Sequence, residues 1–172
     1  MSKANKSNKA IKYRLYPNDE QKVMFAKTFG CCRFVYNQLL ALQKQRYKDG
    51  ESHLSKLKSN EFATRTLKKD YDFLKEIDKF AVSNAVFHLA DAYDRFFKKQ
   101  NHFPKFKSKR KSKKSYTTNF TNNNILIGKN VIKLPKVGMV KAVIHKLPKD
   151  DWKLKSVTVS QDGVGNYFAS VL

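Results

Sequence analysis

Cysteine is almost missing from this 172-residue chain: Cys31 and Cys32 are the only two, and they are neighbours. Adjacent thiols cannot staple distant segments, so a disulfide framework is excluded and reduced thiols within a helix interface are expected. Long apolar runs are missing too. Nothing approaches the ~20 apolar residues of a membrane span, and the N-terminus lacks a signal-peptide apolar stretch. The expectation is an intracellular, cytoplasmic protein with no membrane partner. The four histidines (His53, His88, His102 and His145) share no ligand spacing with each other or with the cysteines, so no metal site is legible. No nucleophile–base pair stands out either. The most telling gap is in negative charge: from Arg95 to Lys149 there is not one Asp or Glu.

That same stretch holds sixteen Lys or Arg residues, and the first eighteen residues of the chain hold five bases and no acid. Everything else carries fifteen bases against fourteen acids, so the net charge of +22 is concentrated in two segments. A surface of one sign attracts a polyanion, and neutralised phosphates release counterions, which makes such binding strong and salt-sensitive. Lys-rich tracts can also serve only to solvate. A solvating tract has no use for Phe103, Phe106, Tyr116, Phe120, Ile125, Ile127, Val131, Ile132 and Leu134, which interleave the bases here. The pattern points to nucleic acid.

Apolar and basic residues alternate over Ile11–Tyr16, which reads as a half-buried strand ending at Pro17-Asn18. Asn18, with Gln21 three residues on and Asp19 and Glu20 between, signals a helix start. Phe25, Phe29, Cys32, Tyr36 and Leu39 then carry helical spacing to about Lys48, where Asp49-Gly50 ends the element. Gly30 inside it suggests close packing or a local break. A shorter helix is expected from about Ser59 to Tyr71, anchored by Phe62, Leu67 and Tyr71. A third opens at Asp78 with the stripe Val82, Ala85, Leu89, Ala92 and Phe96, widened by Val86, Tyr93 and Phe97.

After Gln100 the period changes. Residues 105–114 read as a basic loop. Short alternating runs come next, around Tyr116–Phe120, Ile125–Ile127, Val131–Leu134, Val140–Ile144, Val157–Ser160 and Tyr167–Leu172. Several short strands at such spacing suggest a small barrel or sandwich. If the first strand joins the later ones, the helices form an insertion, and both acid-free segments fall on the barrel side. The last run is a strand without a polar cap, which leads us to expect a longer protein continuing from it.

Tyr13-Arg14-Leu15-Tyr16-Pro17-Asn18 with Gln21, Cys32-Arg33-Phe34-Val35-Tyr36-Asn37, Asp78-Lys79-Phe80-Ala81, Ala92-Tyr93-Asp94-Arg95-Phe96-Phe97, Phe103-Pro104-Lys105-Phe106, Phe120-Thr121-Asn122-Asn123-Asn124, Leu134-Pro135-Lys136-Val137-Gly138 and Val157-Thr158-Val159-Ser160 occur in this order. Together they resemble the N-terminal half of TnpB, the RNA-guided DNA endonuclease family of bacterial insertion sequences, related to compact type V CRISPR effectors. The resemblance covers essentially the whole chain. It implies an α+β fold: an oligonucleotide-binding-like β-barrel, the wedge, from residues 1–18 and 102–172, and an inserted three-helix recognition domain over residues 19–101. It also implies guide RNA and double-stranded target DNA as partners, with a short duplex motif read jointly by the two domains, and work at the nucleoid.

Carried over by motif, the duplex-motif readers are Lys79, Phe80, Ser83, Asn84 and Thr121, with Ser55 and Ser59 before and within the second helix. Lys12, Arg14, Lys105, Lys107, Lys109, Arg110, Lys111, Lys113 and Lys114 are the expected RNA contacts. On physical grounds alone, a helix N-terminus with Lys79 can approach phosphate, and Phe80 can wedge against a base. The plainer alternatives are a solvated Lys79, a Phe80 packed in the core, and Thr121 with its asparagines as turn formers. The short hydroxyl of Ser83 cannot make the two-pronged adenine contact of an amide.

No catalytic residue and no cofactor are assigned to this chain. The family's RuvC-like domain holds the carboxylates for two metal ions, with Mg2+ expected only there, and neither it nor the zinc finger is represented. Two other readings stand beside an RNA- and DNA-binding module. One is half of a split nuclease completed by a RuvC-containing chain; the other is a stand-alone helix-turn-helix-type DNA-binding regulator.

Overall fold

The computed structural model describes residues 7–172; Lys3 and Lys6 of the basic N-terminal segment lie outside the described residues. Strand β1 (Ile11–Tyr16) leads into the 30-residue helix α1 (Asp19–Lys48). A second helical unit runs as α2 (Lys56–Glu61), a π-helical turn (Phe62–Leu67) and α3 (Lys68–Asp70), and ends in a 3-10 turn (Asp72–Lys75). Helix α4 (Lys79–Phe97) comes next. Six strands complete the fold: β2 (Lys114–Asn119), β3 (Leu126–Ile127), β4 (Val131–Leu134), β5 (Gly138–Val143), β6 (Ser156–Gln161) and β7 (Tyr167–Val171).

The expected insertion topology is present. Strand β1 sits inside one seven-stranded antiparallel sheet of order β2-β6-β7-β1-β5-β4-β3, paired with β7 on one side and β5 on the other. The helices therefore leave the sheet after β1 and return to it at β2. The barrel is met only in part. The ladder is continuous, but among the described residues no pairing joins its end strands β2 and β3, so the strands form an open sheet.

Alternation decides which face is buried. Tyr13, Leu15, Tyr116, Val157, Val159, Tyr167, Ala169, Ile132, Leu134 and Val140 all point to one side, where a single core joins sheet and helices. Phe25 and Phe29 of α1 meet that face, with ring centroids 6.3 Å and 5.8 Å from Tyr116, and Phe25 lies 5.5 Å from Tyr167. Cys32 lies between α1 and α4, with its Sγ 3.4 Å from the Ala81 carbonyl oxygen, and burial pushes its thiol up to about 12. Both cysteines are free and buried.

The helix ends obey their sequence signals. Asn18 and Gln21 form a reciprocal capping box, and Asp78 caps α4 by accepting from the Phe80 backbone N–H. At the end of α1, Gly50 adopts φ 71° while the Glu51 N–H reaches back to the Arg46 carbonyl, as a left-handed C-terminal cap requires.

Four local expectations are corrected. Gly30 marks neither a break nor a close approach: α1 runs through it, and an added Cβ would meet only the Arg33 guanidinium tip at 3.9 Å. The second helix starts earlier than Ser59, because the Ser55 hydroxyl accepts from the Lys58 N–H and caps it. Tyr71 lies past the helix in extended backbone and packs edge-on against Phe34 at 4.8 Å rather than anchoring the core. Phe97, likewise, is 61% exposed where the stripe had suggested burial.

Candidate nucleic-acid interface

Beyond the shared core, one side chain hydrogen-bonds helix α4 to the sheet. The Asn84 amide donates to the Thr117 carbonyl at 2.9 Å and to Asn119 Oδ1 at 3.2 Å, both on β2. This joint sets the first turn of α4 beside the loop that succeeds β2. That loop is folded by Asn124, whose side chain accepts from the Thr121 N–H at 2.8 Å and donates to the Asn119 carbonyl at 2.9 Å. Asn122 and Asn123 take left-handed backbone (φ 46° and 55°), a conformation asparagine tolerates better than most residues.

Between these elements lies an open groove of about 510 Å³. Lys79 and Phe80 form one wall, Thr121, Asn122 and Asn124 another, and Pro135 with Lys136 closes the third side from the β4–β5 turn. Lys68 and Lys75 reach in from the second helical unit. Lys79 Nζ stands 5.1 Å from the Phe80 ring centroid, so a cation and a half-buried aromatic face share the mouth. Lys136 is held at φ 65°, an uncommon backbone for a residue with a side chain. Burial pushes the Lys68 amine below the ordinary lysine value; nearby Asp78 partly offsets this, and Lys79 and Lys136 add to it. Asp78 itself is 6% exposed, and its Oδ2 has no hydrogen-bond partner among the described residues.

Of the expected duplex-motif readers, Lys79, Phe80 and Thr121 thus meet in one groove. Asn84 lies beside them but is engaged in holding α4 to β2. Ser83, one turn along from Lys79, is half-buried and outside the groove lining. Ser55 and Ser59 belong to the second helical unit, Ser55 as the cap and Ser59 buried at 6% exposure. The sequence reading misses Lys68, Lys75 and Lys136. Lys136 lies within the Leu134–Gly138 motif, whereas Lys68 and Lys75 carry no local signal and arrive only through tertiary packing.

The basic loop is pinned at its base. Asn37 of α1 donates to the Lys107 carbonyl and accepts from the Lys107 N–H, both at 2.8 Å. The Lys107 side chain turns inward, its Nζ 4.1 Å from the Tyr36 ring centroid, and burial lowers its amine from the usual value. Beyond it, Ser108 and Ser112 fold a turn that leaves Lys109, Arg110, Lys111, Lys113 and Lys114 exposed; Lys105, just before the clamp, is exposed as well. Lys12 and Arg14 project from β1 on the sheet face opposite the core. Among the described residues, no ion pair uses Lys12, Arg14 or any base between Arg95 and Lys149, so this charge is available to a partner. No group of three or more His, Cys, Asp or Glu side chains among the described residues stands close enough to hold a metal ion, and no cleavage step is assigned to them.

A family model described as a helix-turn-helix domain matches residues 5–52. A candidate RNA-guided DNA endonuclease of Streptomyces pristinaespiralis is 31% identical over 95% of this chain. InsQ of Escherichia coli K12, also named as a candidate RNA-guided DNA endonuclease, is 30% identical over 58% of it. The chain belongs to the TnpB family. It corresponds to the N-terminal part of TnpB proteins and spans 41% of the Streptomyces relative and 25% of InsQ. A third relative, virulence protein VsdF of Salmonella dublin, is 32% identical over 59% of this chain, which spans 93% of VsdF. In this TnpB chain the segment matched as helix-turn-helix folds as β1 and then the single unbroken helix α1. No helix among the described residues is long and apolar enough to cross a membrane.

Proposed function

We propose that this chain is the nucleic-acid-binding portion of a TnpB-type RNA-guided DNA endonuclease. Guide RNA lies along the acid-free sheet and loop, held by Lys12, Arg14 and the exposed bases of residues 105–114. A short target-adjacent duplex enters the groove at the start of α4, where Lys79, Lys68 and Lys136 meet phosphate and Phe80 and Thr121 face the base edges. Sequence specificity for the rest of the target comes from guide pairing. The observation that carries this reading is the separation of charge. Among the described residues, cations on the sheet side form no ion pair with a carboxylate, while every ion pair joins two residues of the helical insert.

A helix-turn-helix regulator has less support, because the described residues 7–52 contain a strand and one long helix rather than two helices about a tight turn. The test is gel-shift binding to RNA transcribed from the end of the chain's own insertion element. Tighter binding than to unrelated RNA of equal length is expected; equal affinity for both would refute the assignment.

A further inference from the structure

The sheet face turned away from the core is not uniformly polar. At its centre Arg14 of β1 pairs in register with Phe168 of β7, and Tyr16, two residues along β1, pairs with Lys141 of β5. The Arg14 guanidinium stands 5.3 Å from the Phe168 ring centroid and 5.1 Å from that of Tyr16, so it lies between the two rings. Lys12 Nζ approaches the Phe168 ring at 4.4 Å. Tyr16 is 53% exposed and Phe168 is half-buried.

Arg14 is oriented rather than free. Its Nη2 donates to Asn166 Oδ1 at 2.6 Å, and the Asn166 N–H is tied at 2.8 Å to Asp162. Asp162, which feels the charge of Arg14, is occupied by the Asn166 and Val164 N–H groups of the β6–β7 turn. The Arg14 Nε remains buried without a partner among the described residues.

We infer that this face is a stacking platform for unpaired RNA nucleotides. Phe168 and Tyr16 each take one base, while Lys12, Arg14 and Lys141 meet the intervening phosphates. The inference rests on the RNA-binding reading above and specifies the form of RNA bound on that side. Its physical basis is the mixture of groups. Aromatic rings offer π-faces that any base can use, and cations beside them track the backbone. Because Phe168 pairs with Arg14, Phe168 and Tyr16 are diagonal neighbours on adjacent strands, roughly 7–8 Å apart, so each ring can hold its own base. A closed duplex presents no open base face and gains nothing from the rings.

The experiment uses the full chain and two RNA probes of equal length, one unpaired and one a hairpin, each carrying 2-aminopurine. Binding is read by anisotropy and stacking by 2-aminopurine quenching. With the unaltered protein, the unpaired probe is expected to be quenched on binding. The pair of substitutions Tyr16→Leu and Phe168→Leu keeps bulk but removes the rings. It should weaken unpaired-probe binding about tenfold or more and abolish quenching, while hairpin affinity changes less than twofold; Phe168→Trp should retain both signals. Binding of the unpaired probe without quenching by the unaltered protein overturns the platform and leaves general RNA binding intact, a result independent of how any variant folds. Equal losses on both probes overturn it as well. Failure to bind either probe overturns the platform and the RNA-binding reading together.

Discussion

Lys68 holds its charge less firmly than an ordinary lysine, and the reason is its place in the fold. Burial disfavours its ammonium form, Lys79 and Lys136 repel it, and Asp78 only partly compensates. The sign is then fixed. In the free protein this amine loses its proton at a lower pH than a solvated lysine does, whereas a phosphate bound in the groove would favour the charged form. Duplex affinity should therefore fall as pH rises toward the ordinary lysine range, and binding should take up a proton there. Lys68→Arg keeps its charge through that range, so it should flatten the alkaline loss. Titrating duplex affinity against pH for both proteins checks this; parallel curves would remove Lys68 from the site.

At the scale of elements, α1 contains a stability reserve at Gly30. Glycine within a helix costs up to about 1 kcal/mol relative to alanine, and nothing packed around Gly30 requires it. Gly30→Ala should raise unfolding free energy by up to about 1 kcal/mol in urea melts, without changing nucleic-acid affinity. A drop in stability would mean that the Arg33 side chain cannot yield. The strands and the caps of α1 and α4 are legible in the sequence because each rests on a local rule: period-two alternation, the Asn18–Gln21 box and the Asp78 cap. The π-helical turn is not. Thr64 bonds its hydroxyl back to the Asn60 carbonyl at 2.9 Å, a competition with the helix ladder that spacing alone does not announce. A π turn accommodates an extra residue and so rotates the facing of the residues after it, Lys68 included. The groove is therefore half legible: Lys79, Phe80 and Thr121 sit in motifs, while Lys68 and Lys75 depend on how the second helical unit docks. Asn84 reads as a DNA contact in the sequence, although its hydrogen bonds to β2 show a positioning duty that only the assembled fold reveals.

For the whole molecule, the decisive property is that charge is segregated by topology. Inserting the helices after β1 places eleven of the fourteen acids in the helical insert and leaves the sheet side with only Asp150, Asp151 and Asp162 against its many bases. Such an arrangement gains little for stability, because exposed like charges repel, and it makes sense against a polyanion. The consequence is quantitative. Affinity for a single-stranded nucleic acid changes with salt by a slope of about 0.7 for each phosphate neutralised. Lys105, Lys109, Lys111 and Lys113 are exposed and without ion-pair partners among the described residues, and the loop bearing them is anchored by Asn37. Replacing these four with Gln should reduce the slope of log affinity against log salt by about 3 if all four meet phosphate. The loss should be similar for RNAs of unrelated sequence, since phosphate contacts carry no base information. Folding should be preserved, because the Asn37 clamp grips backbone atoms of Lys107, which is not replaced. An unchanged slope would assign the loop to solvent and leave the sheet face to hold RNA alone.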